Sequence, residues 1–599
     1  MVQVMNVAEY IAEFFHQKKI EDVFLVTGGG AMFLNDALTK HPKLSSSCFH
    51  HEQACAMAAE SYYRVLNKPA IVNVTTGPGA TNAITGVYGA YVDSAAMIVI
   101  SGQVKRPTMK RYFSQDLRQL GDQEVDIVSI VQPITKYAVV LDQPTEIEYE
   151  LEKAYHLATE GRPGPVWIDV PVDVQSMPIP KQKKRFKIAK KDLELKTHQI
   201  KKIETFLTLS KRPVVIVGTG IHHSKTIDEF HRFIKRWNLP VVSSFCASDV
   251  LPTDHPNFIG RQGTIGDRAG NFAVQNADFV LILGARMNIR QLSYDWKKFA
   301  PRAKKVMVDI DQAELDKPTL DLDLKIRADL KDFFRSLEKL KKRRVDHNYL
   351  AWCQARKEKY PAHVTNHDSQ KKLNPYQAIF ELSQKIPAKS VIVTADGAAA
   401  IIPFQTFKIK NGQRLFSNSG SAPMGFDLPA VIGASIAVKR TRLHHPQTFC
   451  FAGDGSIMMN LQELQTIKTL NLNVVIFIIN NGGYLSILQT QTNYFKNNIF
   501  GCVDSPELSF PNFKKLSKGF GIKYIGVDSL RGLKALSFDH QGPLIVELIV
   551  DPEQLFEPKL VSKRLSDGTF YTPELDEMFP FLSDSELTKN RIRINDEAK

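Results

Sequence analysis

A chain of 599 residues, 43% hydrophobic and 23% charged, is too long for one core, and its balance is that of an ordinary globular protein of several domains. Its longest apolar runs, such as VVIFII, are strand-length and exclude a membrane-spanning helix. The net charge of +14 is concentrated in KQKKRFKIAKK (181–191) and KLKKRR (339–344). Neither run is interleaved with stacking aromatics, so both are expected to be solvated linkers rather than nucleic-acid contacts. The six cysteines (Cys48, Cys55, Cys246, Cys353, Cys450, Cys502) form no C-x-x-C pair, which argues against a zinc site or a disulfide framework and for a reducing compartment. The opening MVQVMNVAEYIAEFFHQKKI reads as an amphipathic helix without signal-peptide order. A cytoplasmic protein is expected.

Short β-rich runs alternate with helical stretches along the chain, the pattern of parallel-sheet α/β domains. The first block (1–175) takes VFLVTGGG, AIVNVTTGPGATN, AAMIVISG and PVWIDVP as strands with their loops. The second (199–335) takes RPVVIVGTG, LPVVSSF, FVLILGA and KKVMVDID. The third (375–552) takes SVIVTADG, TFCFAGDG, NVVIFIINN and GPLIVELIV, and a polar tail (556–599) without strong periodicity follows. Blocks one and three share a rhythm but no residue-level repeat.

The chemistry concentrates in the third block. QTFCFA (447–452) reads as a buried strand, NLQELQTIKTL (460–470) as a helix with Leu461, Leu464, Ile467 and Leu470 inward, and NVVIFII (473–479) as the next strand. In such a βαβ unit the two strands run parallel and, if adjacent, lie about 5 Å apart, with their carboxyl ends on one edge. Asp454 follows the first strand and Asn481 the second. A carboxylate and an amide oxygen suit Mg²⁺ that takes its remaining ligands from phosphate and water. Gly453 and Gly455 permit close backbone approach, and the Gly455 and Ser456 amides are expected to face an anion.

Gly-Asp-Gly-Ser followed 24 residues later by a double asparagine resembles the cofactor motif of thiamine-diphosphate-dependent decarboxylases and carboligases. The resemblance implies Mg²⁺ ligation by Asp454, Asn481 and the Gly483 carbonyl. It also implies a catalytic glutamate for the aminopyrimidine ring, matched by Glu52 in HEQ, with His50 and His51 as packing or hydrogen-bonding groups. Met424 matches the wedge under the cofactor, Ala422 a carbonyl acceptor for its amino group, and Gly397 a diphosphate neighbour. The Gln-His usual beside that glycine is missing.

Over residues 1–552 the likeness is closest to acetolactate synthases, which decarboxylate pyruvate and transfer the hydroxyethyl unit to a second 2-oxo acid. It implies three α/β domains: pyrimidine-binding, central FAD-binding and Rossmann-like, and diphosphate-binding. It further implies a homodimer or homotetramer with sites at the subunit interface. Gly30 and Gln123 match substrate-side positions. Gly284, Ala285, Arg286 and Arg290 match flavin contacts, although two acidic positions of that motif are Asn288 and Ile289 here. VGTGIHH lacks the third glycine of a dinucleotide fingerprint, so NAD is not expected. Departures gather around the acceptor, where Asp122, Val172 and Thr490 replace an aromatic, a lysine and a tryptophan. The tail resembles those of enzymes of surface-polysaccharide synthesis. The acceptor is therefore expected to be a second 2-oxo acid or a larger ketone such as a nucleotide-linked keto sugar. A non-ligating decarboxylase and an inactive regulatory or binding protein are the alternatives.

Overall fold

The computed structural model describes residues 5–182, 184–188, 195–340, 347–362, 372–495 and 498–592. Residues 183 and 189–191 of the first basic run, and 341–344 of the second, lie outside the described residues.

Three six-stranded sheets organise the chain, and every strand pair in them is parallel. The first holds β1 (Asp22–Leu25), β2 (Ser45–Cys48), β3 (Ile71–Val74), β4 (Ile98–Gln103), β5 (Tyr137–Val140) and β6 (Val166–Pro171), in the order β2-β1-β3-β4-β6-β5. The second holds β7 (Pro213–Val217), β8 (Val241–Ser243), β9 (Phe258–Arg261), β10 (Phe279–Leu283), β11 (Lys304–Asp309) and β12 (Leu324–Arg327). Its order, β12-β11-β10-β7-β8-β9, is that of a dinucleotide-binding fold, with its switch point between β7 and β10. The third holds β13 (Val391–Thr394), β14 (Arg414–Phe416), β15 (Thr448–Gly453), β16 (Val474–Asn480), β17 (Lys523–Val527) and β18 (Leu544–Ile549), in the order β14-β13-β15-β16-β18-β17. The first and third sheets thus repeat one topology, which accounts for their shared rhythm.

Parallel strands covered on both faces are mostly apolar; β3, β4, β7, β10 and β13 have no exposed position. The first and third sheets share one continuous core. It runs through helix Glu52–Leu66 and helix Asp427–Lys439, whose sequences EQACAMAAESYYRVL and DLPAVIGASIAVK are rich in small residues. Those small residues let the two helices touch backbone to backbone: a Cβ on Gly433 would lie 2.0 Å from the Ala58 carbonyl. The middle sheet has separate clusters on its two faces.

The tail is ordered against the middle sheet. Leu575 and Met578 are buried, and Asn271, on helix Arg268–Gln275, donates to the Leu575 carbonyl at 2.9 Å. Arg591 pairs with Asp576 at 2.7 Å. No helix among the described residues is long and apolar enough to cross a membrane, and all six cysteines are free thiols.

Candidate active site

β15 and β16 are neighbours, with Gly453 opposite Ile479. Asp454 and Asn481 therefore leave adjoining strands at the same edge, as the βαβ reading requires. Asp454 is 2% exposed. Its Oδ2 accepts from the amides of Asn481, Gly482 and Gly483 at 3.1, 2.8 and 3.0 Å. The Gly455 amide, expected to face a diphosphate, instead donates to Asp454 Oδ1 at 2.8 Å, because the turn folds back onto its own carboxylate. Burial outweighs these donors and raises the Asp454 pKa to about 6. Asn481 Oδ1 is buried without a hydrogen-bond partner. A buried carboxylate short of positive charge and an orphaned amide oxygen beside it form a donor set that fits a hard divalent cation.

Four more of the expected residues stand on this edge. Gly397 follows β13, the strand next to β15, and a Cβ there would lie 3.6 Å from Ser486 Oγ, just beyond the Asn481–Gly483 loop. Ser456 Oγ donates to Asp427 at 2.6 Å and accepts from the Gly425 amide at 2.9 Å. Asn460 Nδ2 donates to the Gly425 carbonyl at 2.8 Å. These bonds pin the 422–425 segment against the Gly455–Asn460 turn, with Ala422 at φ +49° and Met424 still 38% exposed.

In the first sheet one loop, TTGPG (75–79) after β3, gathers the remaining residues. The Gly30 amide donates to Thr75 Oγ1 at 3.1 Å. Gln123, at φ +61°, rests its carbonyl against Gly77, where a Cβ would lie 2.2 Å away. Glu52 Oε1 is 3.3 Å from a Cβ position on Gly79, and Asn82 Nδ2 donates to Oε2 at 3.0 Å. Glu52 opens its helix and is 8% exposed. His51 caps that helix by accepting from the Gln53 amide, and Glu463 accepts from the His50 amide at 3.1 Å. Sequence reasoning missed Thr75, Asn82 and Glu463, since no local signal marks contacts made across loops.

At the switch point of the middle sheet the loops after β7 and β10 meet. A Cβ on Gly218 would lie 2.2 Å from the Gly284 carbonyl, so only glycine allows the approach. A cleft opens there between Ala285, Arg286, Arg290, Phe245, Gln262 and Phe404. A second lobe of about 630 Å³ passes Gly284, Arg286, His223, Asp309 and Asp329; Thr219 and Arg286 line both. Arg286 reaches into the first domain, donating to Asp93 at 2.9 Å. Asp93 also pairs with Arg64 at 2.8 Å. The Arg290 guanidinium lies 5.4 Å from the Phe245 ring, which stacks on Phe404 at 4.3 Å. Gln262 is 2% exposed with both amide atoms unpartnered, and Asn288 Oδ1 is likewise orphaned. An elongated cleft with unmet polar groups and an aromatic end fits a dinucleotide carrying a flat ring system. The sequence signalled its glycines and arginines but not Phe245, Phe404 or Arg64, which come from other segments.

Three families cover these three sheets in turn. "Thiamine pyrophosphate enzyme, N-terminal TPP binding domain" matches residues 5–127, the central domain of the same enzymes 200–337, and their C-terminal TPP binding domain 397–548. The acetolactate synthase large subunit of Lactococcus lactis is 31% identical over 578 residues, covering 93% of this chain and 95% of that protein. The chain belongs to the thiamine-diphosphate-dependent acetolactate synthase family. Acetolactate synthase 1 of Zea mays is 30% identical over 93% of this chain and 87% of its own length. Acetolactate synthase isozyme 1 large subunit of Escherichia coli is 29% identical over 92% and 95%. Membership makes the protein an acetolactate synthase-like transferase that uses thiamine diphosphate, and the glycine-flanked aspartate sits in the domain that binds it.

Proposed function

We propose that the protein decarboxylates pyruvate and transfers the two-carbon unit to a carbonyl acceptor larger than a second 2-oxo acid, such as a nucleotide-linked keto sugar. The observation that carries the cofactor half of this reading is Asn481 Oδ1, buried and unpartnered, beside Asp454 on the adjoining strand. Asp454, Asn481 and the Gly483 carbonyl would hold Mg²⁺, which in turn would hold the diphosphate. When bound, thiamine diphosphate supplies an electron sink for decarboxylating a 2-oxo acid and a nucleophilic carbon for joining the remainder to a carbonyl. Glu52 would hydrogen-bond the pyrimidine ring and pass a proton to or from it. Asn82 engages Oε2, leaving Oε1 for that exchange, in a buried setting that keeps proton traffic local. Met424 would support the cofactor from below and the Ala422 carbonyl would accept from its amino group. Gly30 and Gln123, gathered on the same loop as Glu52, flank the substrate.

FAD would lie in the switch-point cleft along Gly284, Ala285, Arg286 and Arg290, where the orphaned Gln262 amide supports a polar ring edge. The acting species is a homodimer or homotetramer with the first domain of one subunit facing the third domain of another, in a reducing cytoplasm that suits six free thiols. The larger acceptor is supported by Thr490, whose short side chain lies exposed on the helix leaving the metal loop. The test is incubation with pyruvate, thiamine diphosphate and Mg²⁺, with and without keto sugars linked to nucleotides. A ligated sugar supports the reading, whereas acetolactate formed at full rate with no sugar product, or acetaldehyde alone, refutes it.

A further inference from the structure

Helix Leu485–Phe495 begins two residues after Gly483 and is 11 residues long, about 15 Å at the α-helical rise. Ile487, Thr490 and Tyr494 recur at threes and fours on it and are exposed, with Gln491 half-buried beside them, so one open stripe leads from the Asp454–Asn481 loop outward. At its far end lies an open hollow of about 1100 Å³. Tyr494 enters it from the third domain, Tyr294 and Lys298 from the middle domain, and Phe570 and Tyr571 from a hairpin in the tail. The four rings are exposed by 47%, 72%, 57% and 40%, in the order Tyr494, Tyr294, Phe570, Tyr571. Rings left this open and converging on one concave site mark a binding surface.

The walls of the hollow are fixed rather than loose. Tyr494 meets Phe570 edge-on at 6.2 Å. Lys298 lies 4.4 Å above the Tyr571 ring, donates to the Thr572 carbonyl at 2.8 Å and pairs with Asp295 at 3.0 Å. We propose that this hollow holds the base of a nucleoside diphosphate whose sugar carries the acceptor carbonyl, stacked against Tyr494, Phe570 and Tyr571. Flat heteroaromatic bodies are what clustered, accessible rings bind best. The span selects the rest of the ligand. A 2-oxo acid at the metal loop cannot reach the hollow, whereas sugar, diphosphate, ribose and base in series can. The inference rests on the larger-acceptor reading above.

The test uses holoenzyme saturated with thiamine diphosphate, Mg²⁺ and FAD, so that the cofactor sites are closed to competing diphosphates. UDP, CDP, GDP and dTDP are titrated by calorimetry, and pyruvate turnover is measured separately on the parent protein. At least one nucleotide is expected to bind. Tyr494→Ala and Phe570→Ala should each weaken it by about tenfold, the loss of one stacking partner. Leu443→Ala, exposed on another surface, should leave the Kd unchanged. Both ring positions are exposed, so neither variant threatens folding. If no nucleotide binds a holoenzyme that consumes pyruvate, the hollow is misassigned and the carboligase reading stands. Nucleotide binding without pyruvate turnover refutes the carboligase reading and leaves the hollow. Affinity indifferent to both ring variants overturns the inference. So does a change of oligomeric state in the ring variants by light scattering, because the rings would then be a face between copies of the chain.

Discussion

Asp454→Asn separates a structural from a functional role for the glycine-flanked aspartate. Oδ2 accepts three amides and Oδ1 one. The carbamoyl oxygen of asparagine would keep the three and turn its NH₂ toward the Gly455 amide. That sets donor against donor, at a cost of about 1–3 kcal/mol. Against this, the carboxyl pKa is raised from 3.8 to about 6. A raised carboxyl pKa means the charge burdens the fold as pH climbs from about 4 to 6, and by pH 8 that burden is about 3 kcal/mol. Removing the charge returns roughly what the misplaced NH₂ costs, so the unliganded variant should melt close to the parent.

Its response to cofactor should differ sharply. At one hundred times the parent Kd, bound cofactor stabilises by about 2.7 kcal/mol. Losing the anionic ligand of the cation should weaken binding about a hundredfold or more, since breaking a buried charge pairing costs about 3–5 kcal/mol. At the same concentration the variant then gains only about 0.4 kcal/mol. Differential scanning fluorimetry with and without thiamine diphosphate and Mg²⁺ reads both quantities. An unliganded variant that melts far below the parent, or one that keeps the full cofactor shift, would refute the reasoning.

Glu52→Gln should lower pyruvate turnover by about 10²- to 10⁴-fold while leaving the cofactor-induced thermal shift in place; parental turnover in a steady-state assay would remove Glu52 from the mechanism. Gly30→Ala places a Cβ 1.9 Å from Thr76 Oγ1 and must displace a hydroxyl that donates to the Gly102 carbonyl. The expected cost is about 1–3 kcal/mol of stability and a fall in kcat larger than any change in cofactor affinity. Asp169 is buried, accepts from Ser101 and Gln103, and has a pKa raised to about 7 by burial. The folded state therefore binds more protons than the unfolded state between about pH 4 and 7, and stability falls as pH rises through that window. Asp169→Asn should flatten the fall, a difference of up to about 4 kcal/mol at pH 8, seen in denaturant melts at several pH values. Truncation after Thr572 uncovers the faces that pack on Leu575 and Met578, each worth about 1.5–3 kcal/mol. The shortened chain should melt several degrees lower, and an unchanged melt would make the tail an appendage.

The strands legible in the sequence are the interior ones. VFLV, AIVNV, MIVISG and WIDV give β1, β3, β4 and β6, and the other two sheets behave alike. The six strands passed over, β2, β5, β9, β12, β14 and β17, are the two edges of each sheet. Edges such as β2 and β17 meet solvent and read SSSC and KYIGV, so their apolar signal is diluted. β9 is buried throughout and was missed because its apolar run is short, Phe258 and Ile259 before Gly260 and Arg261. The adjacency of Asp454 and Asn481 was legible because a βαβ unit fixes its geometry from one local stretch. The bond of the Gly455 amide to Asp454 was not legible, because a side chain turning back on its own loop leaves no trace in spacing. The folded tail was illegible because its order comes from residues about 300 positions upstream, such as Asn271 against Leu575.

That distance has a consequence in time. Asn276 donates to the Asn590 carbonyl and accepts from the Ile592 amide, 316 positions later. At a synthesis rate of about 5–20 residues per second, roughly 15–60 s separate the two partners on the ribosome. The middle sheet must wait, with helix Arg268–Gln275 lacking its contacts to residues 575–592, until those residues are made. The first sheet waits as well, because helix Glu52–Leu66 shares its core with the far later helix Asp427–Lys439, so both stay open to chaperones and to wrong partners during synthesis.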